Sequence, residues 1–253
     1  MPALNAVILA AGKGKRMKSD LAKVLHPVHG LPMVVYVIRA VRRAGSERII
    51  LVIGHQRDRV RAALEDQEVE FAVQAEQLGT AHALAQTEEM LAGEHGDLLV
   101  LAGDTPLLTG RTLRLLVDRH RRTGAAATVL TAVLEDPAGY GRIVRTPDGL
   151  LDAIVEDRDA SRSEKGIREI NTGAYCFQTP LVFEVLKEID TGNTQEEYYL
   201  TDAIAVLRSR GMDVGAMVAE DWREMLGINS ADQLAEAEAI MSRSVPSENE
   251  KKG

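Results

Sequence analysis

Leu9-Ala10-Ala11-Gly12-Lys13-Gly14-Lys15-Arg16-Met17, with Lys23 shortly after, ends the first apolar run of the chain, Leu4 to Ala10. Small residues after a buried strand let the backbone pass close to a phosphate chain. Exposed N–H groups can donate to its oxygens, while Lys13, Arg16 and Lys23 neutralise charge. The chain as a whole is acidic, with 30 Lys+Arg against 38 Asp+Glu and a net charge of −8. Five cations between Lys13 and Lys23 therefore point to a polyanionic ligand held locally. Two familiar glycine loops do not fit. A dinucleotide fold needs a third glycine where Met17 stands and an acidic residue after the second strand, which ends Ile53-Gly54-His55. A Walker loop needs Gly-Lys-Ser/Thr, and Gly14-Lys15-Arg16 fails that test. For the loop alone, a flexible turn with solvated lysines stays open.

Outward from the loop, short apolar runs alternate with helical patterns. Pro32 to Arg43 carries apolar residues at helical spacing, with Arg39, Arg42 and Arg43 on a polar face that reads as solvated. Strands are expected at Ile49–Ile53, Val69–Val73, Leu98–Ala102 and Ala125–Leu134, with helices at Arg57–Leu64, Ala81–Leu91 and Thr109–His120. Glycine-bounded strands separated by helices indicate a Rossmann-like, doubly wound α/β fold with a mixed, mostly parallel sheet in a single domain. Near-continuous apolar strands fit burial on both faces. Ile143–Thr146 and Leu151–Glu156 flank Pro147-Asp148-Gly149 and predict a hairpin. Asp157–Gly166 reads as a loop, Ala174–Phe177 and Val214–Val218 as strands, and Pro180–Glu188, Leu200–Arg210 and Ala231–Met241 as helices.

A chain of 253 residues with 45% hydrophobic and 27% charged residues is a globular protein and not a disordered or collagenous one. The single cysteine, Cys176, excludes an internal disulfide framework and reads as an inert core thiol. An acidic surface is a poor non-specific binder of nucleic acid, so no nucleic-acid partner is expected. No basic n-region with a long apolar stretch opens the chain, and no run of roughly 18 apolar residues occurs. The expectation is a cytoplasmic protein with no membrane partner. The histidines His26, His29, His55, His82, His95 and His120 are scattered and read as turn or surface residues.

Further segments follow the loop in order: Gln74-Ala75-Glu76-Gln77-Leu78-Gly79-Thr80, Gly103-Asp104-Thr105-Pro106-Leu107, Gly139-Tyr140-Gly141-Arg142-Ile143, Ile154-Val155-Glu156, Glu169-Ile170-Asn171-Thr172-Gly173, Glu197-Tyr198-Tyr199-Leu200-Thr201-Asp202 and Gly227-Ile228-Asn229. The Leu9–Met17 loop with Lys23 resembles the signature of sugar-phosphate nucleotidyltransferases. Together the segments resemble the uridylyltransferase domain of bacterial N-acetylglucosamine-1-phosphate uridylyltransferases, the GlmU family, over about residues 4–242.

That resemblance implies a nucleotide-diphospho-sugar transferase fold and Mg²⁺-dependent transfer of a uridylyl group from UTP to N-acetylglucosamine 1-phosphate. It implies catalytic roles for Arg16, Lys23 and Asp104, and a metal held by Asp104 and Asn229. Leu9, Ala10, Ala11, Gly12, Gly14, Arg16, Lys23, Gln74, Gly79 and Thr80 would bind the nucleotide. Gly103, Gly141, Glu156, Asn171, Thr172, Tyr198 and Thr201 would bind the sugar, with Tyr199 beside them. Taken singly, Asp104 also fits a turn or helix entry, and Asn229 an N-cap that Ser230 could equally supply. Gln74 also fits a solvated strand end, Glu156 a hairpin-edge carboxylate and Asn171 a turn. The tyrosines fit core packing as well.

The expected organisation is one transferase domain over 1–245: a nucleotide-binding half at about 1–107, a sugar-binding half at 108–228 and a C-terminal helix at 229–245. A polar tail covers 246–253. The chain departs from the family in two places, with Ala22 where proline is frequent and Ala102 where some relatives carry tyrosine. It has no hexapeptide repeat. The acetyl transfer and β-helix trimer of the bifunctional members are thus expected to be absent, leaving a monomer or small homo-oligomer. Two alternatives remain: a UTP-dependent enzyme for glucose 1-phosphate or several sugar phosphates, and a non-catalytic sugar-nucleotide-binding regulatory module.

Overall fold

In the computed structural model, residues 2–17 and 19–244 are described. Lys18 and the expected polar tail lie outside them. In chain order the elements are β1 (Ala3–Leu9), β2 (Pro27–Val28), β3 (Leu31–Pro32), α1 (Met33–Ala44), β4 (Arg48–Ile53), α2 (Arg57–Ala63), β5 (Glu70–Val73), α3 (Thr80–Ala85), β6 (Gly96–Ala102), α4 (Gly110–Thr123), β7 (Ala127–Val133), β8 (Arg142–Arg145), β9 (Leu151–Val155), β10 (Glu169–Gln178), α5 (Thr179–Leu186), α6 (Asp202–Ser209), β11 (Val214–Val218) and α7 (Ala231–Ser244).

The main sheet runs β11-β7-β10-β6-β1-β4-β5, with the β8–β9 hairpin attached to β10. Pairings β5/β4, β4/β1, β1/β6 and β7/β11 are parallel. β10 lies antiparallel between β6 and β7. Alternate strand residues feed two layers, as the two-residue period of a strand requires. Leu4, Ala6 and Ile8 pack with α1 and α4 residues such as Val37, Ile38, Leu113 and Leu116. Val7, Val100, Tyr175 and Phe177 pack with Leu84, Val182, Phe183 and Ile204 from α3, α5 and α6. A third, smaller cluster of Met17, Val28, Met33, Ile228 and Ala237 seats α7 against the β2–β3 hairpin.

Local chemistry sets the ends of the elements. α4 opens on Thr109, whose Oγ1 accepts from Thr112 N, and closes on Gly124 in the left-handed region, as helix ends commonly do. The β2–β3 turn places His29 and Gly30 at positive φ, a type I′ arrangement, and was not anticipated from the sequence. The β8–β9 hairpin forms around the expected Pro147-Asp148-Gly149 turn. Arg39, Arg42 and Arg43 are exposed, as expected.

Several expectations need correction. The helix expected over Ala81–Leu91 breaks after Ala85 and resumes only as a short 3-10 turn at Glu89–Leu91. There the buried Thr87 hydroxyl donates to the Leu84 carbonyl, a local bond that competes with helix continuation. The strand expected at Ala174–Phe177 extends from Glu169 to Gln178, because Thr172 and Gly173 form a bulge and not a turn. His120 is not a surface residue: it sits on the sheet-facing side of α4, 2% exposed, with Nδ1 3.0 Å from Thr128 Oγ1 and Nε2 3.5 Å from Asp97 Oδ1. Burial holds its imidazole below the ordinary histidine pKa. Cys176 is buried, and burial pushes its thiol well up. Among the described residues no helix is long and apolar enough to cross a membrane.

Phe177 is fully buried at the centre of the second layer, stacked on Tyr175 at 5.5 Å between ring centroids. Phe177→Ala is expected to cost about 3–5 kcal/mol through lost burial and an unfilled cavity, measured as the shift of the urea midpoint.

Candidate active site

In open α/β sheets, ligands gather where crossovers leave a central strand in opposite directions, outside the carboxyl ends of the strands. Here β1 is that strand, with β4 on one side and β6 on the other. The carboxyl ends of β1, β6, β4 and β5 deliver Ala10–Gly14, Gly103–Asp104, Gly54–Gln56 and Gln74–Gly79 to one edge. A cavity of about 570 Å³ opens there.

Of the residues expected to bind ligand, Leu9, Ala10, Ala11, Gly12, Gly14, Lys23, Gln74, Gly79, Thr80, Asp104, Glu156, Asn171 and Thr201 line this cavity, and so does Lys13. The glycine loop is fixed by its neighbours: Ala10 N donates to Val52 O, His55 N to Ala11 O and Gly103 N to Leu9 O. Gly14 has φ +59°, and a Cβ there would stand 2.6 Å from Lys23 Cβ. The loop therefore closes onto the Lys23 stem only because residue 14 has no side chain.

At one end of the cavity, charge converges from three distant parts of the chain. The Lys23 ammonium donates to Asp104 Oδ2 and, at 2.6 Å, to Asn229 Oδ1. Arg16, exposed at the rim, donates to the same Asn229 oxygen at 2.8 Å. Ile228 N donates to Asp104 O at 2.9 Å, locking the two segments together. Ser230 takes the capping role at α7, accepting from Gln233 N. Asn229 Oδ1 is thus left for the cations. One anionic and one neutral oxygen already meet on a single positive charge. That donor set suits Mg²⁺, which takes few protein groups and fills its shell with phosphate and water. Among the described residues no cluster of three or more His, Cys, Asp or Glu could hold a metal.

The other wall comes from the second half of the sheet. The bulge in β10 turns Asn171 into the cavity, where its Nδ2 donates to Tyr175 Oη at 2.7 Å and its Oδ1 accepts from Gly173 N. Glu156 lies beside it and accepts from Thr201 Oγ1 at 3.2 Å. Burial pushes the Glu156 carboxyl up, only partly offset by that hydroxyl. A Cβ on Gly141 would stand 3.5 Å from Asn171 Cβ and 3.6 Å from Glu156 Oε2, so Gly141 flanks both without lining the cavity. Behind them the buried Arg142 guanidinium bonds the Tyr140 carbonyl and, at 3.0 Å, Asp157 Oδ1. It thereby ties the loop before β8 to the loop after β9.

The two walls are sewn together at Gly79. Tyr198 N donates to Leu78 O, Ala81 N to Tyr198 O, and Leu200 N to Thr80 Oγ1. Gly79 has φ +118°, and a Cβ there would fall 2.4 Å from Tyr198 O, so the two loop segments of the seam approach only over glycine.

Four residues expected at the sugar do not reach the cavity: Gly141, as above, and three others. Gly103 packs beneath it against Leu9 O and Val24. Thr172 turns its hydroxyl to Leu130 O in the core. Tyr198 presents its ring to His82 at 6.5 Å between centroids. Tyr199 is also buried, bonded to Gln195. Conversely, Tyr175, Gln77, Ala83, Glu197 and Leu200 line the cavity and were not singled out. The signal for Tyr175 is the two-residue period of a strand that begins at Glu169, along which Asn171, Gly173 and Tyr175 all line the cavity.

Sequence comparison matches residues 6–171 to the MobA-like NTP transferase domain. The chain is similar to "Bifunctional protein GlmU" of Acetivibrio thermocellus, 50% identical over 241 residues, covering 95% of this chain and 52% of that protein. The protein of the same name from Syntrophotalea carbinolica is 51% identical over 242 residues, covering 96% and 52%. That from Streptococcus suis is 50% identical over 240 residues, covering 95% and 52%. The chain thus spans about half the length of the curated relatives it matches. Its fold is similar to a UDP-glucose pyrophosphorylase solved with UDP-glucose, at TM-score 0.74 and 18% identity, covering 96% of this chain and all of that one.

Asp202, next to Thr201 at the start of α6, has its carboxyl pushed up to about 6 by burial, with Asp190 and Asp159 adding repulsion. A raised carboxyl favours the folded state only while protonated, so its contribution is present below the unfolded value near 4 and lost as pH rises through about 6. Asp202→Asn is expected to leave Tm nearly unchanged at pH 4 and to raise it relative to the parent at pH 8, as read by thermal melts across that range.

Proposed function

The chain belongs to the family of MobA-like NTP transferase domains, and on that premise we propose that it transfers the uridylyl group of UTP to N-acetylglucosamine 1-phosphate. The products are UDP-N-acetylglucosamine and pyrophosphate. The observation that carries this is the meeting of Lys23, Asp104 and Asn229 at the end of the glycine loop. The glycine loop, Lys23 and Asp104 line one end of a cavity whose other wall carries the half-buried Glu156 carboxylate and the Asn171 amide, with Asn229 and Arg16 bonded at that end. The half-length identity to the bifunctional relatives supports the same substrates.

In this mechanism the sugar phosphate attacks the α-phosphorus in line and pyrophosphate leaves. The attacking phosphate is anionic near neutral pH, so no general base is needed. Positioning and charge stabilisation carry the catalysis. Backbone N–H groups from Ala11 to Gly14 cradle the phosphates. Lys23 and Arg16 hold the triphosphate and stabilise the charge that gathers on the leaving pyrophosphate. Asp104 and Asn229 would hold Mg²⁺, which when bound supplies Lewis-acid neutralisation of phosphate oxygens. Gln74 and Gly79 read the uracil, with Ala11 backbone beside them. Glu156 accepts from a sugar hydroxyl, and Asn171, held by Tyr175, bonds the sugar or its N-acetyl group. Residues 1–107 thus form a nucleotide half and 108–228 a sugar half, and the start of the C-terminal segment returns Asn229 to the phosphates. A cytoplasmic setting goes with UTP as substrate.

Pyrophosphate release is to be measured with Mg²⁺ across a grid of nucleoside triphosphates and sugar 1-phosphates. UTP with N-acetylglucosamine 1-phosphate is expected to dominate. Preference for glucose 1-phosphate would overturn the sugar, and silence from folded protein would favour a sugar-nucleotide-binding module. Asp104→Ala is expected to lower kcat by orders of magnitude with the far-ultraviolet spectrum unchanged. Near-normal turnover in that variant would reject the role given to Asp104.

A further inference from the structure

Gln74 stands at the carboxyl end of β5, 3% exposed, with its side chain at the cavity wall. Its Nε2 donates to the Gly79 carbonyl at 3.0 Å. A carbonyl only accepts, so this bond fixes which end of the amide is nitrogen. The same Nε2 lies 3.0 Å from His82 Nδ1, on the first turn of α3. Both amide hydrogens are therefore directed into the protein. Among the described residues no donor reaches Gln74 Oε1, the one polar atom of the side chain left for a ligand.

His82 Nδ1 can take the second hydrogen only if it carries a lone pair. Its Nε2 lies 3.2 Å from the Gln86 amide nitrogen, which also donates to His82 O. A neutral imidazole has one lone pair for two facing amides. Gln74 is buried and tied to Gly79, whereas Gln86 is half-buried at the helix end and can swing its amide nitrogen away from the ring toward solvent. The lone pair thus falls to Gln74, and Nε2 carries the proton. The Tyr198 ring, tilted 35° against the imidazole, backs it from the sugar half.

We propose that His82 is a positioning residue for base selection: by taking the second amide hydrogen of Gln74, it leaves that side chain only a carbonyl oxygen to offer the base. A carbonyl accepts the N3–H of uracil. Cytosine presents a lone pair at N3, and the two acceptors would face each other unpaired. Turning the amide over to suit cytosine would set its oxygen against both Gly79 O and the His82 lone pair. The proposal rests on the uridylyl reading above and adds the residue that enforces it.

The test compares kcat/KM for UTP and CTP in the full chain, His82→Leu and His82→Asn, with N-acetylglucosamine 1-phosphate as acceptor. Asparagine can place an oxygen near the Nδ1 position; leucine cannot. His82→Leu is expected to lose about tenfold of the UTP preference, the worth of one hydrogen bond, mainly through KM for UTP. His82→Asn is expected to retain the preference. An unchanged preference in His82→Leu, or equal losses in both variants, would overturn the proposal while leaving the uridylyl reading intact. A parent chain that accepts CTP as readily as UTP would overturn both. Nitrogen-15 chemical shifts of the His82 ring in the parent chain give a readout independent of any variant's folding: an Nε2–H tautomer is expected, and an Nδ1–H tautomer would overturn the assignment.

Discussion

The pairing of β10 on both its edges, to β6 and to β7, is the constraint on which the rest depends. β6 ends the run of parallel strands β5-β4-β1-β6, and β7 carries β11 and the return toward α7. An antiparallel strand between them makes one continuous sheet of two halves. Its direction also puts the amino-terminal part of β10 at the edge where the parallel strands end. Asn171 can therefore face the glycine loop across the cavity. The bulge at Thr172 and Gly173 is where the ladder yields to aim that side chain.

Charge at the site follows from the same placement. In a chain with net charge −8, the loop cations have carboxylate and amide oxygens within reach. Lys23 finds them in Asp104 and Asn229, and Arg16 in Asn229. Two oxygens from distant segments thus hold one ammonium in place at the end of the glycine loop. Ser230 makes this possible by capping α7, which spares Asn229 from that task. The hydrophobic seat of α7 on Met17, Val28 and Met33 keeps Asn229 beside the loop.

The seam at Gly79 joins the half of the sheet that carries the glycine loop to the half that carries β10 more tightly than the sheet alone would. Tyr198 contributes backbone to the loop that precedes α3 and its ring to His82. A residue expected to touch the sugar thus acts on the opposite wall, through the loop that carries the candidate base contacts.

Much of the fold was legible because its signals are local. Apolar runs bounded by glycine mark β1, β4 and β6, and Thr109 marks the start of α4, which runs three residues past the expected end at His120 to Thr123. The glycine loop and the order of the motifs supplied the site residues that meet in the cavity. Three things were not legible. The full length of β10 was hidden because Asn171-Thr172-Gly173 has the composition of a turn, and only pairing with β7 and β8 keeps it extended. The burial of His120 and the inward turn of Thr172 depend on which face of α4 and which edge of the bulge meet the sheet. The partners of Asn229, Gln74 and Tyr175 are fixed by distances between segments far apart in the chain. Composition and period determine which residues are available, because propensity and burial act along the chain. Hydrogen-bond partners are decided by tertiary structure, because a hydrogen bond is made only at about 3 Å and in the right direction, and only packing brings segments so far apart in the chain to that distance.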